Sequence, residues 1–252
     1  MKSMRRHPFR VSARLVWFGF EVMFAILLYG ITAAGAPRQA RRAARARWLH
    51  RASRRHLKIF GYTADVAGPV PRRGLLVTNH LSYLDILAIA AVTPAVFVSK
   101  SEVRDWPVFG WLASLAGTVF VDRQRRTHVG EVNDEIQKAL EDGALVVVFP
   151  EGTSSNGTDL LPFRTSLLEP AARSKHPIAT GWLHYDLTDG DAREEVCYWG
   201  DHTFFPHLLN LTGKKSVHAT IRFGHFQKQT DDRKELARQL NVEVAKLKAA
   251  YV

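Results

Sequence analysis

A chain of 252 residues with 46% hydrophobic and 10% aromatic content can bury one substantial core and is far from a disordered composition. Its 35 Lys and Arg against 24 Asp and Glu give a formal net charge of +11. The single cysteine, Cys197, excludes an internal disulfide framework and a thiolate zinc cluster, and the slightly negative mean hydropathy excludes a multi-span transporter.

The charge is concentrated at the start. Residues 1–60 hold 14 bases and one acid, Glu21, for a local balance of +13, while the remainder carries −2. An anionic partner of the N-terminal segment, lipid or nucleic acid, is therefore expected, and not a basic body. Residues 15–36, LVWFGFEVMFAILLYGITAAGA, decide for lipid, because a nucleic-acid arm has no use for 22 nearly uncharged residues. As a helix they would reach roughly 33 Å, enough to cross a hydrocarbon core. Basic residues flank the run on both sides, so a span would leave one basic flank outside; a re-entrant or in-plane helix on an anionic cytoplasmic face fits better. Arg47, Arg51, Arg54, Arg55 and Lys58 then fall on one helical stripe, suited to such a surface. A cleaved signal peptide would share the basic start, Ala34 and Ala36, but Glu21 inside the run and Pro37 after it do not fit.

From residue 62 apolar runs alternate with helical patterns, the signature of an α/β domain, which divides the chain into an anchor at 1–60 and an α/β domain at 61–252. Strands are expected at 74–78, 95–99, 118–121, 144–149, 178–184, 195–199 and 217–223. The non-alternating run 144–149, ALVVVF, reads as a central strand covered on both faces. Val129, Val132, Ile136 and Leu140 mark one amphipathic helix; Leu236, Leu240, Val244, Leu247 and Tyr251 mark another, entered through Asp232 with Glu235 as a capping box.

Two motifs follow apolar strands. In Asn79-His80-Leu81-Ser82-Tyr83-Leu84-Asp85 a carboxylate five residues after a histidine can hold one imidazole nitrogen while the other removes a proton. The spacing alone is cheap, and His184 with Asp189 repeats it in a polar loop; position favours His80, since ligands of α/β sheets bind at the carboxyl ends of strands. In Phe149-Pro150-Glu151-Gly152-Thr153-Ser154, Gly152 lets the backbone approach a ligand, and Glu151 and Thr153 offer an acceptor and a donor. Read singly, the second motif is a plain turn, and His80 could equally cap a helix or satisfy a buried carbonyl. No G-x-S-x-G elbow, P-loop or G-x-G-x-x-G is present.

NHLSYLD at 79–85, GTVFVDR at 117–123, FPEGTSS at 149–155 and HPIATGW at 176–182 resemble, in order and spacing, the four blocks of the glycerolipid acyltransferases, whose type member is 1-acylglycerol-3-phosphate acyltransferase. The resemblance implies a mixed, largely parallel central sheet flanked by helices, with an N-terminal membrane-associating helical segment. It also implies acyl transfer from acyl-CoA or acyl-carrier protein to a lysolipid hydroxyl, 1-acylglycerol-3-phosphate being the first expectation. His80 would be the general base and Asp85 its orienting partner; Asn79, Ser82, Arg123, Glu151, Gly152 and Thr153 would bind substrate, Arg123 on an anionic group. No cofactor, metal or nucleic acid is implied, and the cytoplasmic face of a bacterial inner membrane is the implied location. One departure weakens the phosphate acceptor: members acting on lysophosphatidic acid often carry arginine after FPEGT, where this chain has Ser154. The blocks at 101–112 and 149–157 also look like lyso-ornithine lipid acyltransferases, which supply the alternative acceptor. A non-catalytic anionic-lipid or nucleic-acid binder is the competing class.

Overall fold

The computed structural model describes residues 7–122, 126–228 and 230–251. Two long helices open the chain: α1 (Pro8–Tyr29), continued by a π-helical turn at Gly30–Ala34, and α2 (Arg38–Ile59), which restarts after Pro37. They form an antiparallel hairpin. The Trp48 indole donates to the Ala25 carbonyl at 2.6 Å, and Arg55 pairs with Glu21 while lying over the Phe24 ring. The lone acid of the apolar run is thus neutralised within the hairpin.

One face of α1 packs on α2 and the opposite face stays open. Val16, Phe20, Met23, Leu27 and Ile31, at spacings of three and four, are each more than half exposed. Residues 8–34 are the one helical stretch, among the described residues, long and apolar enough to cross a bilayer by length and composition. On α2 the bases Arg47, Arg51, Arg54 and Lys58 are exposed on one stripe, with Trp48, Ala52 and Leu57 buried opposite.

The body follows as β1 (Tyr62–Ala67), β2 (Gly74–Thr78), α3 (Leu84–Val92), β3 (Val96–Lys100), a 3-10 turn (Ser101–Asp105), α4 (Phe109–Ala116) and β4 (Val119–Val121). Next come α5 (Arg126–Glu141), β5 (Leu145–Val148), the short α6 (Glu169–Arg173), β6 (Ile178–Leu187), the short α7 (Ala192–Glu195), α8 (Phe204–Thr212), β7 (Val217–Phe226) and α9 (Arg233–Ala249). One seven-stranded sheet runs β1-β7-β6-β2-β5-β3-β4. Every neighbouring pair is parallel except β6 and β7, which are antiparallel from Ile178↔Phe226 to Leu187↔Val217. The expected mixed, largely parallel sheet is present. Alternate residues feed two cores: Leu75, Val77, Val146 and Val148 face α5, α6 and α9, while Leu76, Val147, Leu183 and Ile221 face α3 and α8.

Gly74 lets β2 enter this sheet. Its φ is +86°, and a Cβ there would stand 2.1 Å from the Pro177 carbonyl, which accepts the Leu75 N–H at 3.0 Å. The N-terminal hairpin is tied down at the other end of the core, where Arg14 donates to the carbonyls of Thr212 and Lys215, and Arg10 to that of Gly213, closing the C-terminus of α8.

Three expectations change. Residues 195–199 are not a strand: Glu195 ends α7, and Val196 and Cys197 are buried in a loop laid over the motif loops. Strand β1 carries no apolar alternation and was not expected; it pairs parallel with β7 at the sheet edge. Asp232 does cap α9, accepting from Lys234 and Glu235 N–H at 2.8 Å, but Glu235 turns to Arg238 and Gln239, so the capping box stays open.

Candidate active site

β2 ends at Thr78, and the next two residues leave the sheet at its carboxyl end. Asn79 prolongs the β2–β6 pairing with its side chain: its Nδ2 donates to the Leu183 carbonyl at 3.0 Å and its Oδ1 accepts the Leu183 N–H at 2.8 Å. The backbone is thereby fixed where His80 projects.

Asp85 lies in the first turn of α3 and is wholly buried. Its Oδ2 accepts from His80 Nδ1 at 2.7 Å and from the N–H groups of Leu81 and Ser82 at 2.7 and 3.0 Å; its Oδ1 accepts the Tyr185 hydroxyl at 2.7 Å. Because a carboxylate only accepts, Nδ1 carries the hydrogen and Nε2 of a neutral ring carries the lone pair. The ring stacks on Phe149 at 4.2 Å between centroids, joining the two motifs, and its side chain remains 22% exposed. An imidazole held at one nitrogen and open at the other is suited to take a proton.

The second motif loop closes against the first. Ser155 N–H donates to the His80 carbonyl at 3.0 Å, Tyr198 N–H donates to the Leu81 carbonyl at 2.7 Å, and Ser154 Oγ donates to the Tyr198 carbonyl. Glu151 is buried beside His80 with neither carboxylate oxygen in a hydrogen bond of ordinary geometry. Burial pushes its carboxyl up to about 8, against the opposing pull of the His80 and Leu161 N–H groups and Lys248, so it is largely protonated near neutrality. Gly152 takes φ of +79°, and Thr153 is exposed beside it. Ser82 is fully buried and its hydroxyl has no partner. Arg123 lies outside the described residues. The other His–Asp pair does not assemble: His184 faces Asp186 at 3.4 Å, while Asp189 accepts the Lys215 N–H.

Three features went unread in the sequence. Tyr185 lies in the polar stretch 184–190, and β6 runs through it to Leu187 instead of ending at 184. The loop 196–199 carries the main-chain contacts just described. The third is an apolar cavity of about 160 Å³ between the N-terminal hairpin and α3, α4 and α8, walled by Phe18, Trp48, Tyr83, Trp106, Phe109 and Phe204. Tyr83 belongs to the first motif, so the cavity adjoins it. The Tyr83 hydroxyl donates to His207 Nδ1 at 2.9 Å, since His207 Nε2 donates to the Cys197 carbonyl at 3.2 Å; burial and neighbouring His202 lower His207 to about 4 and keep it neutral. The Cys197 thiol, pushed up to about 12 by burial and then by Asp85, is no nucleophile. No three His, Cys, Asp or Glu residues cluster for a metal among the described residues.

The family model "Acyltransferase" matches residues 65–184, a span that contains both motif loops. The chain is 34% identical over 218 residues to the lyso-ornithine lipid O-acyltransferase of Rhizobium meliloti, covering 80% of this chain and 75% of that one. It is 38% identical over 128 residues to the 1-acyl-sn-glycerol-3-phosphate acyltransferase of Neisseria gonorrhoeae, covering 49% and 50%. Among solved structures, the 1-acyl-sn-glycerophosphate acyltransferase PlsC of Thermotoga maritima matches with a TM-score of 0.61 over 98% of both chains at 19% identity, a likeness of fold. With the His80–Asp85 pair seated in the matched span and two thirds or more of a relative covered, the chain belongs to the glycerolipid acyltransferase family and is an acyltransferase.

Proposed function

We propose that the protein moves a fatty acyl group from a thioester donor, acyl-CoA or acyl-carrier protein, to the hydroxyl of a lysolipid, with a lyso-ornithine-type lipid as acceptor. The observation that carries the chemistry is the 2.7 Å contact between His80 Nδ1 and buried Asp85. His80 Nε2 takes the hydroxyl proton as the acceptor oxygen attacks the thioester carbonyl. The tetrahedral adduct collapses, its C–S bond breaks, and the departing thiolate takes the proton from the imidazolium. No acyl-enzyme forms, because acceptor oxygen and thioester carbon react directly, and no resident cofactor or metal is called for. Asp85 holds the tautomer and faces the developing imidazolium charge. Protonated Glu151, the Gly152 backbone and the Thr153 hydroxyl hold the acceptor head, Asn79 and Ser82 shape the loop beneath it, and Arg123 meets an anionic group.

The choice of acceptor rests on position 154. Ser154 puts a short hydroxyl there, and that hydroxyl is engaged by the Tyr198 carbonyl, so no guanidinium reaches the acceptor from it. The longer similarity to lyso-ornithine lipid O-acyltransferases supports the same choice and reverses the order suggested by the four blocks alone. The 1-acylglycerol-3-phosphate reading keeps the support of the higher identity over the shorter span. The open apolar stripe of α1 and the basic stripe of α2 support an in-plane seat on the cytoplasmic leaflet of a bacterial membrane.

Purified protein with one acyl donor is offered lyso-ornithine lipid and lysophosphatidic acid. Faster turnover of lyso-ornithine lipid is expected, and a preference for lysophosphatidic acid would favour the second acceptor. His80→Ala should abolish transfer to either while the fold survives; full turnover in that variant refutes the mechanism. Fatty acid release without an acceptor would instead mark a thioesterase.

A further inference from the structure

A second concave surface, of about 650 Å³, lies along β4, the edge strand three places from β2 in the sheet. Its walls are the first two turns of α2, the 3-10 turn, the α4–β4 turn and the α5 side, and it contains no residue of either motif loop. Five arginines line it, Arg38, Arg41, Arg42, Arg45 and Arg104, against two acids, Glu135 and Asp142. Four of the five stand at i, i+3, i+4 and i+7 of one helix, where like charges repel. Arg42 is paired, its Nε donating to Asp142 at 2.9 Å.

Among the described residues no further ion pair joins these arginines, and two of them are positioned by neighbours. The Arg104 guanidinium lies 4.7 Å over the Phe120 ring, which fixes its plane and leaves its edge free to donate. Arg45 runs its stem beside Gly117, where a Cβ would stand 3.4 Å from Arg45 Cδ, and lines the groove next to Arg104. A groove that gathers five guanidinium groups against two carboxylates and positions one of them over an aromatic ring has the donor set of a phosphate site.

We propose that this groove binds a phosphate ester, at a site separate from His80 and Asp85. The ester has two available sources: the headgroup of an anionic phospholipid or the phosphates of a CoA thioester. The exposed stripe of α1 ends at Ile31, seven residues before Arg38, which favours the lipid headgroup.

The test compares two variants of the full chain that lose equal charge: Arg41→Gln/Arg45→Gln/Arg104→Gln in the groove, and Arg47→Gln/Arg51→Gln/Arg54→Gln on the exposed stripe of α2. Melting by circular dichroism checks folding, and Arg104→Gln alone, at an exposed side chain, serves if the groove triple does not fold. Inorganic pyrophosphate titrated by calorimetry should bind wild type and stripe variant alike and the groove variant about tenfold more weakly or worse. Equal weakening in both variants reduces the effect to net charge and overturns the site. Flotation with phosphatidylcholine vesicles, with and without phosphatidylglycerol, and binding of CoA then separate the sources. Loss of the phosphatidylglycerol response in the groove variant alone assigns the lipid, and weakened CoA binding alone assigns the donor. A groove variant that matches wild type for pyrophosphate, phosphatidylglycerol and CoA overturns the proposal.

Discussion

Replacing Tyr185 with phenylalanine removes one oxygen from a side chain 2% exposed and keeps its shape. The lost hydroxyl is the donor to Oδ1 of Asp85, while Oδ2 keeps its three donors. A hydrogen bond to a buried charge stabilises by about 2 kcal/mol, and water cannot replace the phenol at a carboxylate with no exposed surface. For a domain of this size that lowers the melting temperature by roughly 4–8 °C. The freed carboxylate oxygen can rotate, so His80 loses part of its orientation; kcat should fall about tenfold, in the lower range for a group that acts through the base. KM should hold, because Tyr185 lies behind Asp85, away from substrate. Thermal melting and initial rates at saturating and limiting acceptor measure both. Wild-type melting temperature and kcat in Tyr185→Phe would refute this account of Asp85, and a rise in KM with unchanged kcat would place Tyr185 in binding.

Glu151 binds a proton in the folded chain between its ordinary value of 4.5 and about 8 that the unfolded chain has released, so its contribution to stability falls as pH rises through that window. Urea midpoints across the window should lose part of that slope in Glu151→Gln, and an identical slope would contradict the burial of its carboxyl. His56 and His207 act in the opposite sense. Both are lowered from 6.5 to about 4, His56 by burial and by Arg55, so stability is lost as pH falls from 6.5 toward 4, and His56→Phe should flatten that limb. Within the hairpin, Arg55→Met strands Glu21 among apolar side chains and should cost about 1–2 kcal/mol, less than a fully buried pair because Arg55 is partly exposed. Adding Glu21→Leu should recover most of that loss; a double variant no more stable than Arg55→Met would show the pair is not coupled.

Strands β2, β3, β4 and β5 were legible because burial on both faces leaves unbroken runs such as LVVV, and β6 and β7 because apolar residues recur along them among polar ones. β1 was not, since its residues are largely exposed and it is held by backbone pairing to β7, which composition does not record. The false strand at 195–199 makes the complementary point: Val196 and Cys197 are buried, and apolar residues report burial without reporting backbone shape. The His80–Asp85 contact was readable from one loop because both partners sit within six residues. Tyr185, the Tyr83–His207 pair and the cavity wall join residues roughly 20 to 190 positions apart, and pairing at such distances is set by register and packing. Glu21 finds its partner in Arg55 across the hairpin, a pairing that the apolar run itself does not record.

The side-chain rung between Asn79 and Leu183 ties sheet alignment to the chemistry. Were β6 to slip one residue against β2, Asn79 would meet a different backbone position and Tyr185 would turn to the opposite face, so Asp85 would lose its fourth donor in the same event. A misaligned sheet therefore loses both the rung that fixes the backbone beside His80 and the phenol that steadies Asp85. The residues that orient His80 and Asp85 also penalise a one-residue register slip, which couples faithful folding to activity through one amide and one phenol.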